Sequence, residues 1–271
     1  AAYFAAKLRL FTDVVDDDGT AVVWADDEPW SGRVIAAARA RGLKVISVGA
    51  AGETLTLKSR TPTALGQTLV VTADGLDHCI ALPLIGGYQA ANALVAAGLV
   101  IACGGAVAAT LAQLARVRPV RGRLERAVIA RSGAPVYVDY AHTPDALEAA
   151  AAALRPHTRG RLILVFGAGG DRDQGKRPLM GAAAVAIADQ VIVTDDNPRS
   201  EDPAAIRAAI LAAAPGASEV ADRRAAIATA IATSGGDDVV LVAGKGHEQG
   251  QIVGAQILPF DDVQVARECA A

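Results

Sequence analysis

Aromatic residues are scarce in this chain. Phe, Tyr and Trp make up 4% of its 271 residues, while apolar residues as a whole reach 52%. A core with so few rings has to be filled by Ala, Val, Leu and Ile, which suits helices packed on a parallel sheet whose strands are buried on both faces. Cysteine is also sparse. Cys79, Cys103 and Cys269 form no CxxC pair, which argues against a disulfide framework or a cysteine zinc site and fits a reduced, cytoplasmic setting. Basic charge is not in excess: a net charge of −3 leaves no electrostatic footprint for nucleic acid. No secretory signal opens the chain. Residues 93–115 carry no charge over a length that could cross a bilayer, but the run is Ala-rich and broken at Gly104 and Gly105. It predicts two consecutive core helices and no membrane insertion. Methionine occurs once, at Met180, and the chain enters a helical pattern at once without an initiator, so the expectation is a piece of a longer protein.

What is present alternates. Residues 1–15 predict a helix, "TAVVWA" a strand, "SGRVIAAARARG" a helix and "KVISVGA" a strand. Three short runs, "TLTLKS", "QTLVVTA" and "HCIALPL", then predict a small β-meander, followed by the helix pair from about Tyr88 to Val117. The charged segment "RPVRGRLE", residues 118–125, carries Pro119 and Gly122 and separates two halves, read as domains 1–120 and 121–271. The second half is a cleaner βα repeat. "APVYVDYAH", "RLILVFGAGG", "QVIVTDD" and "DDVVLVAGKGHE" each read as a strand running into a polar loop, with helices between them. Thr143 and Pro144 open one helix as N-cap and first residue, and Asp202 and Pro203 open another. The fold class is α/β: a first half with a β-meander, then a Rossmann-like, doubly wound, mostly parallel sheet.

In a parallel sheet the polar motifs "DYAHTPD", "FGAGGDRDQGKR", "TDDNPRSED" and "AGKGHEQGQ" would share the carboxyl edge, where open α/β sheets bind ligands. Singly, each has a plain reading as a turn or a solvated surface charge. Together they are hard to explain that way. "FGAGGDRDQGKR" misses the glycine spacing of a dinucleotide turn, and its helix is expected only after "DRDQGKR". No G-x-x-x-x-G-K-[ST] loop occurs. The same stretch puts Arg172, Lys176 and Arg177 on one flexible loop suited to phosphate or carboxylate. Arg172 and Arg199 supply cations for carboxylates, while Asp196 and Glu248 supply anions for ammonium groups. That is a mould for a zwitterionic amino acid, including one with two amino-acid ends. His247 alone reads as structural.

The collinear set "VDYAHTPDALE", "GAGGDRDQGKRPLM", "DDNPRSEDP" and "AGKGHE" resembles the Mur ligase family, and within it the members that add diaminopimelate. "YFAAKLRLF", "LPLIGGYQAANALVAAG" and "VRGRLE" resemble the later part of that family's central ATPase domain, so the resemblance covers nearly the whole chain. It implies a partial central domain followed by a complete C-terminal domain that receives the incoming amino acid. The activity implied is ATP-dependent: ATP phosphorylates a carboxylate to an acyl phosphate, which the amine of the amino acid attacks. The implied small-molecule partners are ATP, meso-diaminopimelate and the UDP-N-acetylmuramoyl dipeptide, with Mg2+ as cofactor and a monomeric, cytoplasmic protein.

Residue by residue, Lys7 matches the family's carbamylated lysine, a magnesium-positioning and catalytic group whose plain reading is an exposed helix lysine. Asn92 matches a residue near the adenine, and its plain reading is a helix N-terminal amide. Arg123 and Asp139 match nucleotide-side positions, as does His142, carried over as catalytic. Asp196, Asn197, Pro198 and Arg199 match the loop that recognises diaminopimelate. Arg172 matches a second carboxylate-binding arginine, and Gly244 and Glu248 match positions that hold the distal amino-acid end. Because the phosphate loop is missing, the fragment is expected to be inactive alone, and Lys7 to be carbamylated only in a longer protein. The alternatives are another Mur ligase, a folylpolyglutamate synthase relative, or a non-catalytic binding fragment.

Overall fold

A computed structural model describes residues 2–63 and 66–271. The chain divides into two compact units, Ala1–Arg118 and Pro119–Ala271. In the first, α1 (Ala2–Arg9) is followed by β1 (Thr20–Trp24), α2 (Trp30–Ala40), β2 (Lys44–Gly49), β3 (Leu55–Thr63), β4 (Gly66–Ala73), β5 (Leu76–Leu82), α3 (Gly87–Ala102) and α4 (Val107–Gln113). Of the helix expected over residues 1–15, Ala1 lies outside the described residues, and the α-helix ends at Arg9 in a wider turn to Val14. The five strands form one sheet in the order β1-β2-β3-β4-β5. β1, β2 and β3 run parallel, and β3, β4 and β5 form the expected antiparallel meander. Fully buried Leu55, Leu69, Leu94 and Leu111 join this sheet to α3 and α4, a core of aliphatic side chains as the composition requires. The uncharged run at residues 93–115 is broken at its glycines, and no described helix is long and apolar enough to cross a membrane.

The second unit holds β6 (Glu125–Ile129), β7 (Pro135–Asp139), α5 (Pro144–Leu154), β8 (Leu162–Phe166), α6 (Lys176–Ile187), β9 (Gln190–Val193) and α7 (Pro203–Leu211). β10 (Ser218–Glu219), α8 (Arg223–Thr233), β11 (Val239–Ala243), β12 (Gly250–Val253), β13 (Gln256–Pro259) and α9 (Asp262–Ala270) complete it. Six strands form one sheet in the order β10-β9-β8-β11-β7-β6, all parallel except β6. The doubly wound reading is borne out. Every residue of β8 and β11 is buried, so neither strand can present a polar group except beyond its ends. Val136, Val138, Ile163, Val165, Val240 and Val242 face a layer made by α8 and α9. Residues of the opposite parity, among them Leu162, Leu164 and Leu241, are equally buried and face the α5–α7 layer.

Helix starts follow the capping residues. Thr143 Oγ1 accepts from Ala146 N at 3.3 Å and Asp202 Oδ1 from Ala204 N at 3.0 Å, with Pro144 and Pro203 in the first turns. Other details depart from the sequence reading. α6 begins at Lys176, so Lys176 and Arg177 lie in its first turn and not on the loop. The segment read as a charged connector runs directly into the edge strand β6, which begins at its last residue, Glu125, and is antiparallel to β7. The β12–β13 hairpin and α9 were not anticipated, since short polar-interrupted runs give little periodicity.

Arg223, at the start of α8, is fully buried and lies behind the carboxyl edge. Its Nε and Nη2 donate to the two oxygens of the equally buried Asp262 at 2.8 and 2.7 Å. Nη2 also donates to the Ala243 carbonyl at 3.0 Å. Losing one partner of such a pair leaves the other charge buried and uncompensated. Arg223→Met is expected to lower stability by about 3–5 kcal/mol in denaturant unfolding, and a loss under about 1 kcal/mol would refute the assignment.

Asp238 knits the opposite end of the sheet, accepting from Arg161 N and Nη2 and from Gly235 N at 2.6, 2.7 and 2.8 Å. Burial raises its carboxyl, but these hydrogen bonds and the Arg161 charge outweigh that and pull it down to about 2. The folded value therefore lies below the unfolded one. The stability it contributes is complete above the ordinary value of 3.8 and is lost as pH falls toward about 2. Asp238→Asn should flatten the dependence of unfolding free energy on pH across that window, read by acid titration of denaturant midpoints.

Candidate functional site

The carboxyl ends of β7, β8, β9 and β11 open into one cavity of about 410 Å³. Its lining includes Tyr140, His142 and Thr143 after β7, Arg172, Asp173 and Lys176 after β8, Asp196, Asn197 and Arg199 after β9, and Gly244 and Glu248 after β11. The polar motifs therefore converge as the parallel-sheet reading requires. The physical reason is that β8 and β11 are apolar along their length and relegate polar side chains to the loops beyond.

The β9 loop is tied down by its own hydrogen bonds. Asn197 is buried, and both ends of its amide are committed. Oδ1 accepts from Lys245 Nζ and from Ile252 N, each at 2.9 Å, and Nδ2 donates to Glu248 Oε2 at 2.8 Å. Asn197 thus acts as a pillar between the β9 and β11 loops while also lining the cavity. Pro198 is buried too and presents no side chain to the cavity lining. Arg199 adopts a left-handed backbone, φ 51°, stabilised because its N–H donates to the Ile252 carbonyl and its own carbonyl accepts from Gly254 N at 2.7 Å. Its guanidinium donates once, from Nη1 to the Gly170 carbonyl at 2.8 Å, which leaves further N–H groups for a ligand.

Asp196 is mostly buried, with its carboxylate 4.0 Å from Arg223. Gly244 explains itself here. Its φ is 116°, and a Cβ would sit 2.5 Å from Asp196 Oδ2, so only glycine leaves that carboxylate in place. Glu248 has one oxygen held by Asn197 and, at 3.3 Å, by Lys245. Its other oxygen has no hydrogen-bond partner among the described residues.

Lys245 escaped the sequence reading. It is fully buried, and its ammonium donates to Asn197, Glu248 and the Gly250 carbonyl. A lysine between glycines carries no signal of burial in sequence. Lys176 was expected on a flexible loop. It lines the cavity from the first turn of α6 and donates to the His142 carbonyl at 2.9 Å. Burial holds its ammonium below the usual lysine value, opposed by Asp196 and Asp173. Arg177 does not reach the cavity: it is buried and forks onto Glu201.

Arg172 is exposed, and its Nη1 reaches only the Asp171 carbonyl, at 3.1 Å. His142 is exposed on the far wall, where its Nδ1 donates to the Tyr140 carbonyl at 2.8 Å and leaves Nε2 as the open ring nitrogen. The Tyr140 ring sits among His142, His247 and the Arg123 guanidinium, 4.7 Å from the last. Asp139 is buried, and its oxygens accept from Leu124 N at 2.7 Å and Ala141 N at 2.8 Å. Burial raises its carboxyl, while those two bonds and Arg123 counter the shift. Asp139 is thereby committed to holding the loop that carries Arg123. Lys7 and Asn92 belong to the first unit, where both are exposed. Lys7 stands 5.5 Å from the Tyr3 ring, and Asn92 is in the second turn of α3 rather than at its cap, 3.5 Å from Gln89. No group of His, Cys, Asp and Glu able to hold a metal ion occurs among the described residues.

Comparison with known proteins follows the same division. Residues 1–100 match the family model "Mur ligase middle domain" and residues 122–246 match "Mur ligase, glutamate ligase domain". The UDP-N-acetylmuramoyl-L-alanyl-D-glutamate–2,6-diaminopimelate ligase of Zymomonas mobilis is 57% identical over 98% of this chain and 55% of its own length. A solved structure of a ligase of that name aligns over 99% of this chain and 56% of its own, with TM-score 0.67 and 32% identity. Mycobacterium tuberculosis folylpolyglutamate synthase, solved with ADP and AMPPCP, aligns over 90% of this chain and 56% of its own, with TM-score 0.70 and 26% identity. The chain spans about half the length of the curated relatives it matches.

Lys245→Met tests the pillar. Removing the buried ammonium leaves the Gly250 carbonyl without its donor and Glu248 without its cation, so unfolding free energy should drop by about 1–3 kcal/mol. An unchanged denaturant midpoint would show that the lysine does not tie the loops.

Proposed function

The chain belongs to the Mur ligase family, and from that premise we propose that it forms the amino-acid site of an ATP-dependent ligase of peptidoglycan precursors. The amino acid is meso-diaminopimelate, joined to UDP-N-acetylmuramoyl-L-alanyl-D-glutamate in the cytoplasm. One observation carries this reading. A single cavity sets Arg172 and Arg199 beside Asp196 and Glu248, two fixed cations and two carboxylates around one space. Diaminopimelate has an ammonium and a carboxylate at each end, so its charges complement both sets. The names of the relatives support the same substrate.

Arg199 and Arg172 offer N–H groups in a fork that suits a carboxylate. The open oxygen of Glu248 and the carboxylate of Asp196 suit ammonium groups, and the Asn197–Lys245 pillar sets the orientation of Glu248. Lys176, at the cavity wall, adds a further amine beside the two arginines. ATP, when bound, supplies the phosphoryl group that activates the carboxylate. On this chain Arg123, held by its Tyr140 contact and by the Asp139-bound loop, fits the nucleotide side, and Asn92 fits the adenine side in the first unit. Lys7, exposed on α1, fits carbamylation and magnesium positioning only together with metal partners that the described residues do not assemble, so no step is drawn through the ion.

Arg199→Ala in the complete gene product tests the substrate. A charge-assisted hydrogen bond contributes about 1.5–3 kcal/mol, so kcat/KM for diaminopimelate should fall about ten- to hundredfold. Lysine, which lacks the far carboxylate, should be used no worse than before, since an unpaired guanidinium no longer faces its ammonium. A change under about threefold for diaminopimelate would rule out recognition by Arg199.

A further inference from the structure

The two cavity arginines stand on different loops, so something has to fix one against the other. Glu201 occupies the junction. It follows Arg199 and Ser200 on the β9 loop, and its carboxylate crosses to the β8 loop that carries Arg172. Oε1 accepts from Asp171 N at 2.6 Å and from Arg177 Nη2 at 2.8 Å, and Oε2 accepts from Arg177 Nη1 at 2.9 Å and Gln174 Nε2 at 3.3 Å. Arg177, 4% exposed, also donates to the Gly169 carbonyl at 3.3 Å. Its Nε is the one buried side-chain polar atom among the described residues without a hydrogen-bond partner. The guanidinium therefore meets Glu201 end-on through both Nη groups, at the cost of one unsatisfied donor.

A reciprocal link runs the other way. Asp171 on the β8 loop accepts from Ser200 Oγ at 2.6 Å and from Ser200 N at 3.2 Å on the β9 loop. Arg172 is the next residue after Asp171, as Arg199 is the one before Ser200. Asp171 and Arg199 both hold left-handed backbones, φ 52° and 51°, conformations that persist only where surrounding contacts over-determine them. The loops are also in backbone contact: Gly170 N donates to the Asn197 carbonyl at 2.9 Å, and a Cβ on Gly170 would lie 1.9 Å from the Pro198 carbonyl oxygen. None of Glu201, Arg177, Asp171 and Ser200 lines the cavity.

We infer that Glu201 is a positioning residue for carboxylate recognition: with Asp171 and Ser200 it cross-braces the β8 and β9 loops and sets the spacing of the Arg172 and Arg199 guanidinium groups. The inference rests on the diaminopimelate reading of the cavity. Arg177 and then Asp171 N hold the Glu201 carboxyl below its usual value, so the brace stays ionised in ordinary buffers. A clamp of two arginines works only while their separation matches the ligand, and a misplacement of about 1 Å at such a site is costly.

The test uses the complete gene product with Glu201→Gln, which keeps the side chain's size but turns one carboxylate oxygen into a donor facing Arg177. KM for diaminopimelate should rise about tenfold, with kcat and the KM values for ATP and the nucleotide-linked acceptor within about twofold. Paired with Arg172→Ala, the two losses should be less than multiplicative, because Glu201 acts through the arginine's position. Where Glu201→Gln does not fold, Ser200→Ala, an exposed change to the same brace, should raise the diaminopimelate KM about threefold with the same selectivity. Equal loss for all three substrates, multiplicative losses with Arg172→Ala, or no change in KM for diaminopimelate would each overturn the inference. Wild-type protein without diaminopimelate-dependent turnover would overturn the substrate reading and this inference together, whereas wild-type turnover with a neutral Glu201→Gln overturns the inference alone.

Discussion

Behind the polar edge of the second unit lies one guanidinium that water never reaches. Arg223 joins the start of α8 to Asp262 at the start of α9 and to the carbonyl at the end of β11, and lies 4.0 Å from the carboxylate of Asp196. A buried charge of this kind is tolerated only when its hydrogen bonds are met in good geometry, and here Asp262 takes both oxygens' share. Burial by itself lowers the arginine's proton affinity, but Asp262 more than restores it, so the charge is permanent. Through that pair the loops after β9 and β11 share a fixed, ion-paired floor, with Arg223 4.0 Å from the carboxylate of Asp196.

Around that floor the site is built in tiers. The inner tier, Asn197 with Lys245, holds Glu248 by three mutually satisfying groups and leaves one carboxylate oxygen open. The outer tier, Glu201 and Arg177 with Asp171 and Ser200, holds the loops on which the two cavity arginines stand. Most of these side chains stay outside the cavity lining, and their work is to remove freedom from those that form it. The glycines of "GAGG" belong to this scheme. They let the β8 loop lie against the main chain of "DNPR".

The legible part of the site was the set of residues whose chemistry is unusual for a turn. Arg172, Asp196, Arg199 and Glu248 stood out because a mixed set of charges recurs after each predicted strand, and all of them line the cavity. Lys245 and Glu201 did not stand out, and Arg177 read as a ligand-facing loop cation, because a charged residue near a loop gives no sign of being buried. Asn197 was legible as part of the motif, but its bridge to Lys245 and Glu248 was not, since an amide that faces a cavity and one that also ties two loops read alike. The α6 start was misplaced by the same ambiguity: "GKR" is as acceptable in a first helical turn as in a loop.

The sequence by itself determined the layers. Aliphatic runs of strand length, alternating with Ala-rich helices that open at Thr143, Asp202 and Asp222, leave little choice but a doubly wound sheet with its polar loops on one edge. Periodicity and capping are local properties, written within a few residues of where they act. Only the tertiary structure decided which charges face the cavity and which hold it together. Lys245 meets Asn197 across 48 positions and Arg223 meets Asp262 across 39, and no local pattern encodes such a meeting. Burial there is set by the closeness of loops that the sheet brings side by side, and that closeness exists only once the strands have paired.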